Sequence, residues 1–371
     1  MRKEISNTDK NKSEASQKDL RNDRSEATKS CWILPCCEDR GPNGPGAYRV
    51  EKLVLGTSEI IDWGLTILKI PDIWKKTEGE DIKVAVLDSG IAFEHFDFSE
   101  RNPYKPYDRI GHIQDKRYNL PDAILNIKDF TGSLFGVSDL LGHGTHVAGI
   151  IAARKNSTGV VGVAPKAKLL IGKVLGDKGR GSHEALAEGI WWAIKQKADI
   201  ISMSLGSSEE NEEVHKAIQD AYSAGIFLIC AAGNKVHKGQ NLEPGDPEKE
   251  SLDFPAKFDE TIAVGAINCE LKVPYYSPEH EVDIAAPGDQ ITSSYPPQIC
   301  AVLSGTSMAA AFVSGLVALI LSKHRKYDNE GKSNRTKVKT REQLIEHLMR
   351  FTVEADSIAD DPRQGFDFIK P

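Results

Sequence analysis

Val84-Ala85-Val86-Leu87-Asp88-Ser89-Gly90 is a short apolar run that ends on an acid and a glycine turn. A run of this kind, bounded by a turn, reads as a strand buried on both faces. Two further islands follow. Gly142-His143-Gly144-Thr145-His146-Val147-Ala148-Gly149 brings a histidine to the start of an apolar helix, and Ser304-Gly305-Thr306-Ser307-Met308-Ala309 brings a serine to the start of another. An acid, a base and a nucleophile thus stand where apolar runs meet glycine turns or helix starts. A serine hydroxyl attacks a carbonyl usefully only when an imidazole takes its proton and a carboxylate orients that imidazole.

Outward from these islands, strands and helices alternate. Strands are expected over 82–87, 168–174, 199–203, 226–231 and 261–264. Helices are expected over 143–153, 182–197, 212–224, 307–321 and 341–349. Leu186, Ile190, Ala193 and Ile194 recur at helical spacing, and Gly225 supplies a helix stop. Such alternation implies an α/β fold with a mostly parallel central sheet and helices on both faces. Reactive residues then belong at the carboxyl ends of the strands, where Asp88 falls and just after which Asn234 falls. Residues 101–125 and 236–251 read as surface loops.

The composition sets limits. The chain has 371 residues, 40% of them hydrophobic, and a formal net charge of -7. It is long enough for one large core or two modest ones. The mild acidity argues against a dedicated nucleic-acid surface, which would show clustered basic residues. Residues 1–30 are almost wholly polar and are expected to be disordered, because they cannot bury enough apolar surface to offset ordering entropy. The patch Ser30-Cys31-Trp32-Ile33-Leu34-Pro35-Cys36-Cys37 interrupts them, and Gly41-Pro42-Asn43-Gly44-Pro45-Gly46 reads as a linker. The division expected is a disordered or regulatory N-terminal segment over 1–50 and a catalytic domain over 51–371. No secretory signal is visible, so a cytoplasmic location with reduced thiols is expected. Cys230, Cys269 and Cys300 lie within or beside apolar runs and read as core or near-core residues. The uncharged stretch 301–321 imitates a membrane span in length, but its serines, threonine and glycines favour a buried helix, and no membrane span is expected.

The three islands resemble those of the subtilisin-like (S8) serine proteases, and the resemblance covers roughly residues 59–371. Ala198-Asp199-Ile200-Ile201-Ser202-Met203-Ser204-Leu205-Gly206 and Ile229-Cys230-Ala231-Ala232-Gly233-Asn234 are most similar to the intracellular branch. The resemblance implies a subtilisin-like three-layer fold and a serine endopeptidase acting on polypeptides through an acyl-enzyme. Asp88 would orient His143, His143 would be the base, and His146 would pack beneath it. Ser307 would be the nucleophile, with Asn234 and the Ser307 N–H as oxyanion donors. Other readings stay open: a peptide-maturing protease or transpeptidase, because Ala311-Phe312 stands where the family usually has Pro-His, or a non-catalytic peptide-binding relative. A homodimer is also left open.

Substrate should lie along two extended edges. Leu175 to Gly181 is one, with Gly179, Arg180 and Gly181, and Ser204-Leu205-Gly206 is the other. By the match of Phe254-Pro255 to the family, Asp253 falls at the floor of the S1 pocket, where a carboxylate would favour Lys or Arg at P1. Alternatively it turns outward or pairs with Lys235 at the rim. Leu140-Leu141 would make the S2 wall apolar. The resemblance also implies a Ca²⁺ site with Asp97, Asn156 and Glu59 as ligands, completed by loop carbonyls of 154–160. In the intracellular branch a short N-terminal segment blocks the cleft, and Ile33-Leu34-Pro35-Cys36 could do so here. A metal or lipid role for the cysteines is equally open.

Overall fold

The computed structural model describes residues 32–33, 50–55, 58–99, 120–235, 251–329 and 338–349. The expectations for 1–30, Cys31, Leu34–Cys37, the linker, 101–119 and 236–250 lie outside the described residues. In chain order the elements are β1 (Trp32–Ile33), β2 (Lys52–Val54), α1 (Trp63–Ile67), α2 (Ile70–Ile73), β3 (Lys83–Asp88), β4 (Ile124–Asp129) and α3 (His143–Ala152). Then follow β5 (Lys168–Lys173), β6 (Arg180–Gly181), α4 (His183–Lys195), β7 (Ile200–Met203), α5 (Glu212–Ser223), β8 (Phe227–Ala231) and β9 (Ile262–Ile267). The last are β10 (Ile284–Pro287), β11 (Ile291–Tyr295), β12 (Ile299–Leu303), α6 (Thr306–Asn329) and α7 (Arg341–Met349).

Seven strands form one sheet in the order β10-β9-β8-β7-β3-β5-β4, and every neighbouring pair is parallel. Alternation along each strand divides the core in two. Val84 and Val86 pack with Leu169, Ile171 and Ile229 on the face that α3 and α6 cover. Ala85 and Leu87 pack with Leu170, Met203 and Cys230 on the face that α4 and α5 cover. This is the three-layer fold expected. Both faces being covered is the reason these strands read as unbroken apolar runs.

The order of the strands positions the site. From β3 the chain builds β4 and β5 on one side, then crosses to β7 on the other. Such a reversal opens a crevice outside the carboxyl end of the strand where it occurs. Asp88 is the last residue of that strand.

Several elements differ from the sequence expectation. The loop assigned to 101–125 runs into β4, whose exposed edge carries Leu125 and Lys128 and so lacks an apolar run. A second sheet, β11-β12-β2, is antiparallel and went unread, because its strands are short and half polar. The uncharged stretch 301–321 is therefore the end of β12 followed by α6, and α6 continues to Asn329. Thr306–Lys326 is long and apolar enough to cross a membrane, but 89% of its most apolar window is buried inside the protein. Cys230 and Cys300 are buried as expected, whereas Cys269 is exposed in a turn.

Candidate active site

The turn after β3 and the start of α3 are locked together. His143 Nδ1 lies 2.8 Å from Asp88 Oδ1, which also accepts from the Ser89 N–H at 2.7 Å. A carboxylate can only accept, so Nδ1 carries the proton and Nε2 is left as the basic nitrogen. Asp88 and His143 are both about 1% exposed, which holds the pair in a low-dielectric setting. Gly142 enters α3 with φ of +82°, and a Cβ there would collide with the Tyr295 ring. Only glycine supplies that entry cheaply. Tyr295 in turn donates its hydroxyl to the Leu141 carbonyl at 2.8 Å.

His146, the rival histidine, is fully buried. Its Nε2 sits between the carbonyls of Ile291 (3.2 Å) and Ala301 (3.0 Å) on the second sheet. Burial pushes its pKa down to about 3. A neutral imidazole clamped on two strands is a packing residue, as expected.

Ser307 lies in the first turn of α6, which packs against α3. Its Oγ is 3.5 Å from the Ser204 carbonyl, and Ser204 Oγ donates to the Ser307 carbonyl at 3.0 Å. Asn234 is fixed by a residue the sequence reading passed over. Both the N–H and the hydroxyl of Thr306 donate to Asn234 Oδ1 at 3.0 Å. With Oδ1 committed, the Nδ2 end is the donor the side chain has left to offer. The departure at Ala311-Phe312 is internal: both residues are buried, and the Phe312 ring packs against Gly64 of α1.

The two extended edges expected to take substrate are formed, and one of them has a partner. Arg180–Gly181 pairs antiparallel with Trp32–Ile33, in the register Trp32 with Gly181 and Ile33 with Arg180. The turn before it is closed by Gly176 N–H to the Arg180 carbonyl (2.8 Å) and Gly179 N–H to the Gly176 carbonyl (2.9 Å). The other edge, Ser204-Leu205-Gly206, continues into Ser207, which exchanges backbone hydrogen bonds with Phe254 at 2.9 Å each. That pairing presses Asp253 between two backbones, since a Cβ on Gly206 or Gly233 would strike its carboxylate. Asp253 does not turn outward; it forms an ion pair with Lys235 Nζ, and both side chains are about five-sixths buried, at 17% and 16% exposure. Leu140 is exposed and Leu141 half-buried beside the base.

The residues assigned to calcium fall together. Asp97 is fully buried; its Oδ2 accepts from Ser294 Oγ at 2.6 Å and its Oδ1 has no hydrogen-bond partner among the described residues. Burial is the main cause that raises its pKa to about 7, with the Glu59 carboxylate contributing. Glu59 accepts from the Ser157 N–H at 3.1 Å on the same loop. Asn156 spans the site, donating to the Phe96 (2.8 Å) and Ser99 (3.0 Å) carbonyls and accepting from Thr158. Gly159 leaves room that a Cβ would fill against Asp97 Oδ1. Among the described residues no group of three His, Cys, Asp or Glu side chains converges. The unpartnered Asp97 Oδ1 is the oxygen here with capacity left for a hard cation such as Ca²⁺, which takes carboxylate, amide and backbone oxygens.

The sequence pattern of the subtilase family (Peptidase_S8) matches residues 79–366. The chain belongs to that family, and it is a subtilisin-like serine endopeptidase whose substrates are polypeptides. It is 40% identical over 278 residues to the intracellular serine protease of Paenibacillus polymyxa, covering 74% of this chain and 76% of that one. It is 36% identical over 329 residues to the major intracellular serine protease of Bacillus subtilis strain 168, covering 87% and 92%. Subtilisin DY of Bacillus licheniformis is 34% identical over 269 residues, covering 72% and 86%.

Proposed function

We propose that the chain hydrolyses peptide bonds through an acyl-enzyme on Ser307. His143 takes the Ser307 proton as Oγ attacks the scissile carbonyl, and Asp88 stabilises the imidazolium that forms. Asn234 Nδ2 and the Ser307 N–H bind the oxyanion, and the imidazolium then protonates the leaving amine. The observation that carries this reading is the 2.8 Å bond between His143 Nδ1 and Asp88 Oδ1, made by two residues that are both buried. A fluorophosphonate probe tests it: labelling is expected at Ser307 alone, and absence of labelling on an intact chain overturns the proposal. The names of two of its relatives, both intracellular serine proteases, support a place of action inside the cell.

At S1 the reading is a preference for Lys or Arg at P1, with Lys235 as the internal competitor for Asp253. A substrate cation must displace that ammonium, so Lys235→Ala is expected to sharpen the basic preference. Asp253→Ser should lower kcat/KM for basic substrates about ten- to hundredfold and spare apolar ones, since a hydrogen bond to a charged group is worth about 1.5–3 kcal/mol. A cleavage profile led by Phe, Leu or Met and unmoved by Asp253→Ser would refute it.

Asp97, Glu59, Asn156 and carbonyls of the 154–160 loop would hold a calcium ion, which would neutralise the buried carboxylate and brace the loop. Chelation should then lower the melting temperature and added Ca²⁺ restore it, because an ion that binds only the native state stabilises it by mass action. Identical melting curves with EDTA and with Ca²⁺ would exclude the site.

Residues 1–50 are read as a regulatory segment. The pairing of Trp32–Ile33 on Arg180–Gly181 supports this, since a strand there occupies an edge that substrate needs. A chain beginning at Glu51 should start at full rate, whereas the longer chain should show a lag and trim itself, and Ser307→Ala should keep its full length. Equal initial rates without trimming would sink the idea.

A further inference from the structure

We infer that Asp139 is a positioning residue for the catalytic base: its carboxylate ties the strand end that carries Asp88 to the helix start that carries His143. The inference rests on the proposed roles of those two residues. Asp139 is 5% exposed and lies four residues before His143. Its Oδ1 accepts from Ser89 Oγ at 2.9 Å, the Leu141 N–H at 3.1 Å and the Gly142 N–H at 2.8 Å. Its Oδ2 accepts from the Thr145 N–H at 2.8 Å and Thr145 Oγ1 at 2.7 Å. Three of these partners are main-chain groups that can only donate, so both oxygens serve as acceptors.

The two hydroxyls extend the tie. Ser89 Oγ accepts from the Gly144 N–H at 3.0 Å while donating to Asp139. Thr145 Oγ1 accepts from the Ala92 N–H at 3.0 Å while donating to Asp139. Each hydroxyl thus joins the segment after β3 to the first turn of α3, and the carboxylate joins the two hydroxyls. From the far side Lys173, itself fully buried, donates to the Ser89 carbonyl at 2.5 Å and pairs with Asp177 at 3.1 Å. The segment that follows Asp88 is therefore gripped on both sides. The helix start is pressed so close that a Cβ on Gly144 would meet the Gly90 backbone and lie 3.3 Å from Asp88 Cβ.

What this fixes is the separation of Asp88 and His143. The helix also gains charge-assisted hydrogen bonds to main-chain donors at its positive end. None of the five partners lies on the substrate edges at 179–181 and 204–206, and Leu141, read as S2 wall, is held by Asp139 only through its main-chain N–H, so loss of the carboxylate should disturb the base far more than binding.

Asp139→Asn tests this. The amide keeps the volume but replaces one acceptor oxygen with a donor, leaving N–H groups facing N–H groups. We expect kcat to fall about ten- to hundredfold, the range a displacement of about 1 Å in a reacting group can cost. KM should stay within about twofold, because the lost interaction acts in the transition state. Thr145→Val removes one of the five bonds, and with it the hydroxyl's bond from the Ala92 N–H, with no change of charge, and kcat should fall about three- to tenfold. Proton NMR of the Nδ1–H of His143, far downfield when bound to a carboxylate, should show the resonance shifted or broadened in both variants. A variant that melts lower yet keeps the wild-type kcat and the wild-type Nδ1–H resonance would make Asp139 merely structural and overturn the inference. So would a rise in KM at constant kcat. If Asp139→Asn does not fold, Thr145→Val decides alone, and an unchanged kcat and resonance overturn the inference. A wild-type chain that is not labelled at Ser307 would instead defeat the proposed function, while the resonance would still report on the Asp88–His143 tie.

Discussion

Ser307→Ala and His143→Ala should each lower kcat by about a million-fold, with the double variant scarcely worse. That is the outcome if the three groups act as a unit, and the size is that measured on a subtilisin. Asp88→Ala should cost less, on the order of ten-thousand-fold, because an unoriented imidazole still accepts a proton. The comparison that discriminates is between the two histidines. His146 hangs between the Ile291 and Ala301 carbonyls, so His146→Ala should lower stability through a cavity and two orphaned acceptors. If His146→Ala abolishes turnover on a folded chain while His143→Ala keeps most of it, the assignment of the base is reversed. Steady-state kinetics with thermal melts on the four single variants and the double variant decide the matter.

Asn234→Ala should lower kcat about 10²- to 10³-fold with KM nearly constant. That magnitude, about 2.7–4 kcal/mol, also comes from a subtilisin. Constant KM follows because the donor bonds the oxyanion and not the ground-state carbonyl. Thr306 enters the same argument. Its N–H and hydroxyl hold Asn234 Oδ1, and Thr306→Val keeps the first and removes the second, so it should reproduce part of the loss by loosening the amide. An Asn234→Ala enzyme that keeps full kcat would remove the side chain from the oxyanion site.

Much of the site was legible because its chemistry is local. Asp88, His143 and Ser307 each sit in a motif whose glycines mark a turn or a helix start, and Asn234 follows a strand of unbroken apolar residues. Asp139 was also visible in principle, as an acid just ahead of a helix start, but nothing in one sequence says which backbone donors will reach it. Thr306 and Tyr295 act on residues 72 and 154 positions away, and no local pattern reports that distance.

The sequence by itself determined the α/β class and the core strands of the parallel sheet, because periodicity is set by chain-local geometry, and it offered the candidate reactive residues through motifs that resemble those of the subtilisin-like proteases. Tertiary structure alone decided three things. It placed Lys235 on Asp253 rather than leaving the carboxylate open, because the Ser207–Phe254 pairing brings Asp253 between two glycine backbones. It laid Trp32–Ile33 on the Arg180–Gly181 edge, because an unpaired edge accepts whichever strand reaches it. It gathered Ser89, Thr145 and Asp139 around the triad, because hydrogen bonds across distant turns depend on where the sheet and the helices bring the backbone.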